Sequence, residues 1–222
     1  MSAEIRDFVS RCTICQTYRP EQAREELQPH ELPSRPWQKI GAHLFVLGQQ
    51  TFLIMVDYCS NFFEAVEIHR KTAQSAITQL RVQFARRGIP EVLITDNGSE
   101  FDNNEFKNFS SQWHFEHRTS SPRYPQSNGK VANAVKTCKG LLLKEDNRDP
   151  LLATLAWCNT PSEGFSTFPA QRLMGRRTRI LLPTAKKLFQ PNSDLKTIAR
   201  SLAARKRLQS KSYTEAQRTL FA

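Results

Sequence analysis

Between Lys39 and Leu47 apolar residues occupy both sides of an alternating run. Ile40, Ala42, Leu44 and Val46 fall on one side, Gly41, His43, Phe45 and Leu47 on the other, which is the two-residue period of a strand. Thr51–Val56 is nearly all apolar and suits a buried strand. Phe62–Ile68 alternates again, with Phe62, Glu64, Val66 and Ile68 opposite Phe63, Ala65 and Glu67. The three runs lie close enough together to be joined as hairpins. After Thr72, a good N-cap residue, the period becomes helical through Ala76, Ile77, Leu80 and Phe84, and Gly88 supplies a stop. A strand follows at Glu91–Thr95, then a helical stripe of Phe106, Phe109 and Trp113, and a fifth strand at Phe115–Arg118. Ser120–Ser127 is a polar loop with Pro122 and Pro125, and helices are predicted over 128–145 and Pro150–Cys158. This order predicts an α/β protein with a mixed five-stranded sheet flanked by helices.

The flanks differ from this packed middle. Residues 1–29 are polar, and Pro29, Pro33 and Pro36 mark an extended linker. From 184 to 222, nine Lys/Arg face two Asp/Glu, a basic tail of net charge +7. Within it Leu195, Ile198, Leu202 and Leu208 stripe a helix expected over 193–211, loaded with Arg200, Arg205, Lys206 and Arg207. Three regions result: 1–29, 30–183 and 184–222.

Charge narrows the function. Lys and Arg number 32 against 21 Asp and Glu, a net charge of +11, so a polyanion is the expected partner. No apolar run reaches the roughly 20 residues of a membrane-spanning helix. The first residues also lack the apolar core of a secretory signal, so an intracellular compartment is expected, with the nucleus a candidate. The five cysteines are then read as free thiols, with Cys59, Cys138 and Cys158 as core residues. His114 and His117 are read as ordinary strand and surface residues.

Several motifs now combine. Ile94-Thr95-Asp96-Asn97-Gly98-Ser99-Glu100-Phe101 resembles the TDNGxxF block of the integrases of retroviruses and gypsy-type LTR retrotransposons. Ser120-Ser121-Pro122-Arg123-Tyr124-Pro125-Gln126-Ser127-Asn128-Gly129 resembles their SSPxxPQSNG loop, and Trp37–Ala42 resembles the start of their first core strand. Val56-Asp57-Tyr58, Thr160-Pro161 and Met174-Gly175-Arg176 keep the family's order. The resemblance covers nearly the whole chain and implies an RNase H-like fold. It also implies three carboxylates holding two Mg²⁺ ions, one to activate the attacking hydroxyl and one to stabilise the leaving oxygen.

Carried over residue by residue, the resemblance is incomplete. Asp96 matches the second carboxylate. The first position is His43 and the third is Ala132. Alanine supplies no ligand atom, and imidazole suits Zn²⁺, Cu²⁺ or Ni²⁺ better than Mg²⁺. Asp96 alone is a weak Mg²⁺ ligand; Asp57, Glu100 and Asp102 are the acids near enough in sequence to be considered as substitutes. Cys12 and Cys15 match half of the family's His-His-Cys-Cys zinc module, and four ligands are the rule, so residues 1–29 read as a truncated remnant with an incomplete zinc site. The resemblance further implies DNA contacts from Arg123, Tyr124, Gln126, Ser127 and Asn128 in the loop and from Lys130, Lys136 and Lys139 on the next helix. The expectation is an integrase-like protein that binds DNA nonspecifically without strand transfer and holds no tightly bound cofactor. Two alternatives stand beside it: an active polynucleotidyl transferase with an atypical metal site, and a homodimerising interaction remnant without DNA binding.

Overall fold

The computed structural model describes residues 3–13, 33–120, 129–144, 150–162, 165 and 167–190, with a few positions between 200 and 207. It divides into two compact units, residues 1–30 and 31–222. In the first, helix α1 (Ala3–Arg11) carries an Asp7–Arg11 ion pair one turn apart at 3.1 Å, and Cys12 is half-buried.

The second unit is built on the expected sheet. β1 (Lys39–Leu47), β2 (Gln50–Asp57) and β3 (Phe63–Ile68) form an antiparallel meander. β4 (Val92–Thr95) pairs parallel to β1, and β5 (Glu116–Thr119) parallel to β4, giving the order β3-β2-β1-β4-β5. The alternation in β1 decides what covers each face. Ile40, Ala42 and Leu44 join Leu53, Met55 and Leu93 beneath α2 (Ala73–Arg87) and α3 (Asn104–Gln112), which contribute Leu80, Phe84, Phe106 and Phe109. Phe45, Ile54, Val56 and Phe63 pack on the other face against Val131, Ala134 and Cys138 of α4 (Gly129–Lys144). Truncating any of these large buried side chains to Ala should cost about 2–5 kcal/mol.

Local chemistry sets the element ends. The Thr72 hydroxyl accepts from the Ser75 amide at the start of α2, and the Gly88 amide donates to Phe84 O at its end. α5 (Pro150–Cys158) begins and ends at the predicted residues. Phe62 departs from expectation. Asn61 has a left-handed φ of 62°, which turns the chain before β3, and Phe62 packs with Cys158 and Ala170 instead of joining the strand. The fifth strand begins at Glu116, one residue later than expected, and His114 is exposed in the turn after α3 with φ 53°. α6 (Pro169–Met174) and a 3₁₀ turn at Lys186–Phe189 are too short for periodicity to reveal. Arg172 anchors α6: it is fully buried, donates to Ser60 O at 2.8 Å, and lies 4.5 Å over the Phe165 ring. The predicted tail helix falls almost wholly outside the described residues.

Candidate functional site

The parallel register pairs Gly41 with Ile94, which carries His43 beside Asp96 just beyond the end of β4. His43 shares its strand side with Gly41 and Phe45, the side covered by α4. Its Nδ1 lies 2.8 Å from Asp96 Oδ2, and the two side chains are 33 % and 36 % exposed. The bond from His43 holds the Asp96 carboxyl below the usual aspartate range against an opposing effect of partial burial; the Gly98 amide, 3.3 Å from Oδ1, adds to the lowering.

Behind this pair the loop is crowded. A Cβ at Gly98 would sit 2.7 Å from Glu100 Oε2 and 3.2 Å from Asp96 Oδ1, so a larger residue there would have to displace the Glu100 carboxylate. Glu100 is buried and forms an ion pair with Lys71 Nζ at 3.1 Å. Thr95 donates to the Asp96 carbonyl at 2.9 Å and lies 2.8 Å from His117 Nε2, while burial lowers the pKa of His117. Sequence reasoning missed Lys71 and His117 as neighbours of this loop. Lys71 could have been suspected from its place just before the Thr72 cap.

The third position comes in on α4. A Cβ at Gly41 would lie 2.3 Å from Val131 Cγ2, so the helix rests directly on β1 at this point. Ala132, the next residue, is exposed. Lys130 donates to the Tyr58 carbonyl and sits 5.4 Å over its ring. Lys136 is exposed, and Lys139 is half-buried 5.5 Å over Phe45. Arg123, Tyr124, Gln126, Ser127, Asn128 and Cys15 lie outside the described residues.

The acids considered as substitutes are occupied or face elsewhere. Asp57 is fully buried at the end of β2, where its carboxylate accepts from the amides of Trp37 at 3.0 Å, Ser60 at 2.8 Å and Cys59 at 3.3 Å. Burial pushes its pKa up against these bonds. Asp102 is exposed, 3.7 Å from Lys107. The donor set therefore does not fit a pair of Mg²⁺ ions. Asp96 faces an imidazole, Glu100 pairs with an ammonium, Asp57 accepts from backbone amides, and Ala132 offers nothing. Among the described residues no three His, Cys, Asp or Glu side chains are grouped to hold a metal ion.

Comparison with known proteins agrees with this fold. Residues 40–125 match the integrase core domain family. An uncharacterized Caenorhabditis elegans protein is 28% identical over 205 residues, 86% of this chain and 16% of its own length. The Gag-Pro-Pol polyprotein of sheep pulmonary adenomatosis virus is 28% identical over 194 residues, 80% of this chain and 11% of its own. The chain thus spans about a sixth or less of these curated relatives. A chain in the cryo-EM structure of the simian T-cell lymphotropic virus intasome, in complex with PP2A regulatory subunit B56 gamma, superposes with a TM-score of 0.60 at 22% identity. The match covers 82% of this chain and 70% of that one. The fold is the RNase H-like fold of integrase cores. Within that class the chain resembles the integrases of retroviruses and LTR retrotransposons. Among the described residues no helix is long and apolar enough to cross a membrane.

Proposed function

We propose that the chain is a retroelement-derived integrase-like protein that binds nucleic acid and does not transfer DNA strands. The observation that carries this reading is the close approach of His43 Nδ1 to Asp96 Oδ2, 2.8 Å, at the one acidic position retained. The carboxylate that the family resemblance assigns to Mg²⁺ faces an imidazole here. The exposed Ala132 leaves the third ligand position empty of donors. Two-metal phosphodiester chemistry has no donor set to work with.

Nucleic-acid binding rests on charge and placement. The chain carries +11, and Lys136 is exposed on α4, the helix whose Val131 meets Gly41 of β1. Contacts of this kind are phosphate contacts, sequence-independent and salt-sensitive. The residues assigned to them are Lys136, Lys130 and Lys139 with Arg123, Tyr124, Gln126, Ser127 and Asn128. Residues 30–183 form the core of this assignment, preceded by the segment 1–29 with Cys12 and Cys15 and followed by the basic segment 184–222. A homodimer is the assembly to test for.

The test is nicking and joining of a labelled DNA duplex with Mg²⁺ or Mn²⁺, beside duplex binding at rising salt. The natural chain should bind and neither cut nor join, and His43→Asp/Ala132→Glu should acquire metal-dependent cutting. Cutting by the natural chain would overturn the inactive reading. Absence of duplex affinity at low salt would overturn the binding reading.

A further inference from the structure

After α6 the chain folds into a loop that the integrase reading leaves without a role. The Arg177 amide donates to Leu188 O at 3.3 Å and closes the loop at its base. Asn159, buried at the end of α5, clamps that base to the core. Its Oδ1 accepts from the Thr178 amide at 3.0 Å, and its Nδ2 donates to Thr178 Oγ1 at 2.7 Å. Arg177 adds a bond to the Asn159 carbonyl and lies 4.1 Å over Phe168. The loop is thus held at its base, as compact functional loops are.

What it presents is unusual for solvent. Leu181 is 82 % exposed and Leu182 70 %, with Leu188 also exposed. From residue 165 to 190 the chain contains no Asp or Glu, and Arg176, Arg179, Lys186 and Lys187 stand exposed around the leucines. Among the described residues these four form no ion pair with an acid. Leucines would gain from burial, and the cations select the sign of what buries them. The basic tail at +7 and a second copy at +11 carry the same sign as the loop, so neither complements it.

We infer that the loop 176–190 is a docking site for a partner protein segment in which acidic residues flank large apolar side chains. Leu181 and Leu182 would enter the partner's apolar surface while Arg179, Lys186 and Lys187 meet its carboxylates. This inference is independent of the nucleic-acid reading.

The experiment uses the full chain and a fluorescein-labelled synthetic peptide of Glu-Glu-Leu-Phe repeats, beside its charge-matched form with Ser for Leu and Phe. The apolar peptide should bind about tenfold or more tightly than the Ser form, and Leu181→Ser/Leu182→Ser should erase that gap. Arg179→Glu/Lys187→Glu should weaken the apolar peptide by a similar factor. These surface variants should keep the circular dichroism of the parent. Equal binding of the two peptides, or no effect of either double substitution, would overturn the proposal. So would leucine-dependent retention by phosphatidylserine vesicles without peptide binding, which would assign the loop to a lipid surface. Duplex DNA binding is measured on the same samples. Its absence alongside an intact peptide gap would remove the nucleic-acid reading and support docking.

Discussion

Two aspartates flank β1 and have opposite fates. Asp57 ends β2 on one side of it and Asp96 follows β4 on the other. Asp57 is sealed from solvent and spends its carboxylate on three backbone amides, fixing the turn into β3 and the position of Trp37. Asp96 stays more than a third exposed and meets one imidazole. The same side chain, one strand to either side, builds the fold in one place and offers a chemical site in the other. Burial and the source of the hydrogen-bond donors separate the two roles. Residue identity and strand position do not.

The largest effect should come from Asp57→Ala. Three buried amides would lose their acceptor, at a cost of about 3 kcal/mol or more, read as a fall in the urea midpoint. A loss as small as that of Asp96→Ala would remove the contrast. Gly41→Ala comes next. It pushes a methyl group into Val131 and should cost about 2 kcal/mol in the same titration, because α4 must shift to admit it. A neutral result would mean that α4 is not seated on β1.

Asp96→Asn should change stability by less than about 1 kcal/mol, since the pair it breaks is partly solvated and screened. Its effect belongs to the site: a thermal scan should barely move while the interaction with His43, followed by the imidazole NMR shifts, is altered.

The smallest expected effect is a difference in pH dependence. The folded pKa of Asp96 is lowered, so its contribution is complete above the ordinary aspartate value of 3.8 and is lost as pH falls through the lowered value. That of Asp57 is raised, so this group favours the folded state increasingly as pH falls from its raised value toward 3.8. The gap in Tm between parent and Asp96→Asn should therefore narrow on acidification. For Asp57→Asn, acidification should favour the parent over the variant. Parallel pH profiles for the two variants would show that the aspartates share one environment.

Much of the sheet was legible in the sequence because a half-buried strand must alternate. The pattern in 39–47 divided Ile40, Ala42 and Leu44 from Phe45 and Leu47, and the two core clusters divide these the same way, while Val46 at the strand's end is exposed. The cap at Thr72 was legible because its hydroxyl acts within one turn. The pairing of His43 with Asp96 could be expected only through the family's order of motifs, since no local rule links residues on non-adjacent parts of the chain. Nothing in the pattern announced that Lys130 would reach the Tyr58 carbonyl or that Lys71 would hold Glu100. Those are choices of long side chains made after the backbone is placed. Asp57 left a faint signal, an acid closing an apolar run with a serine three residues on, and that arrangement is commonly a turn held by the side chain.

The exposure of Ala132 and the partial exposure of His43 bear on the history of such a chain. Among the described residues Ala132 is exposed and His43 a third exposed, so an acid at 132 would stand in solvent while an acid at 43 would face the Asp96 carboxylate. In the genetic code histidine and aspartate differ by a single base, and so do half of the alanine codons and glutamate. Where the alanine codon belongs to that half, two point mutations separate this sequence from carboxylates at both 43 and 132.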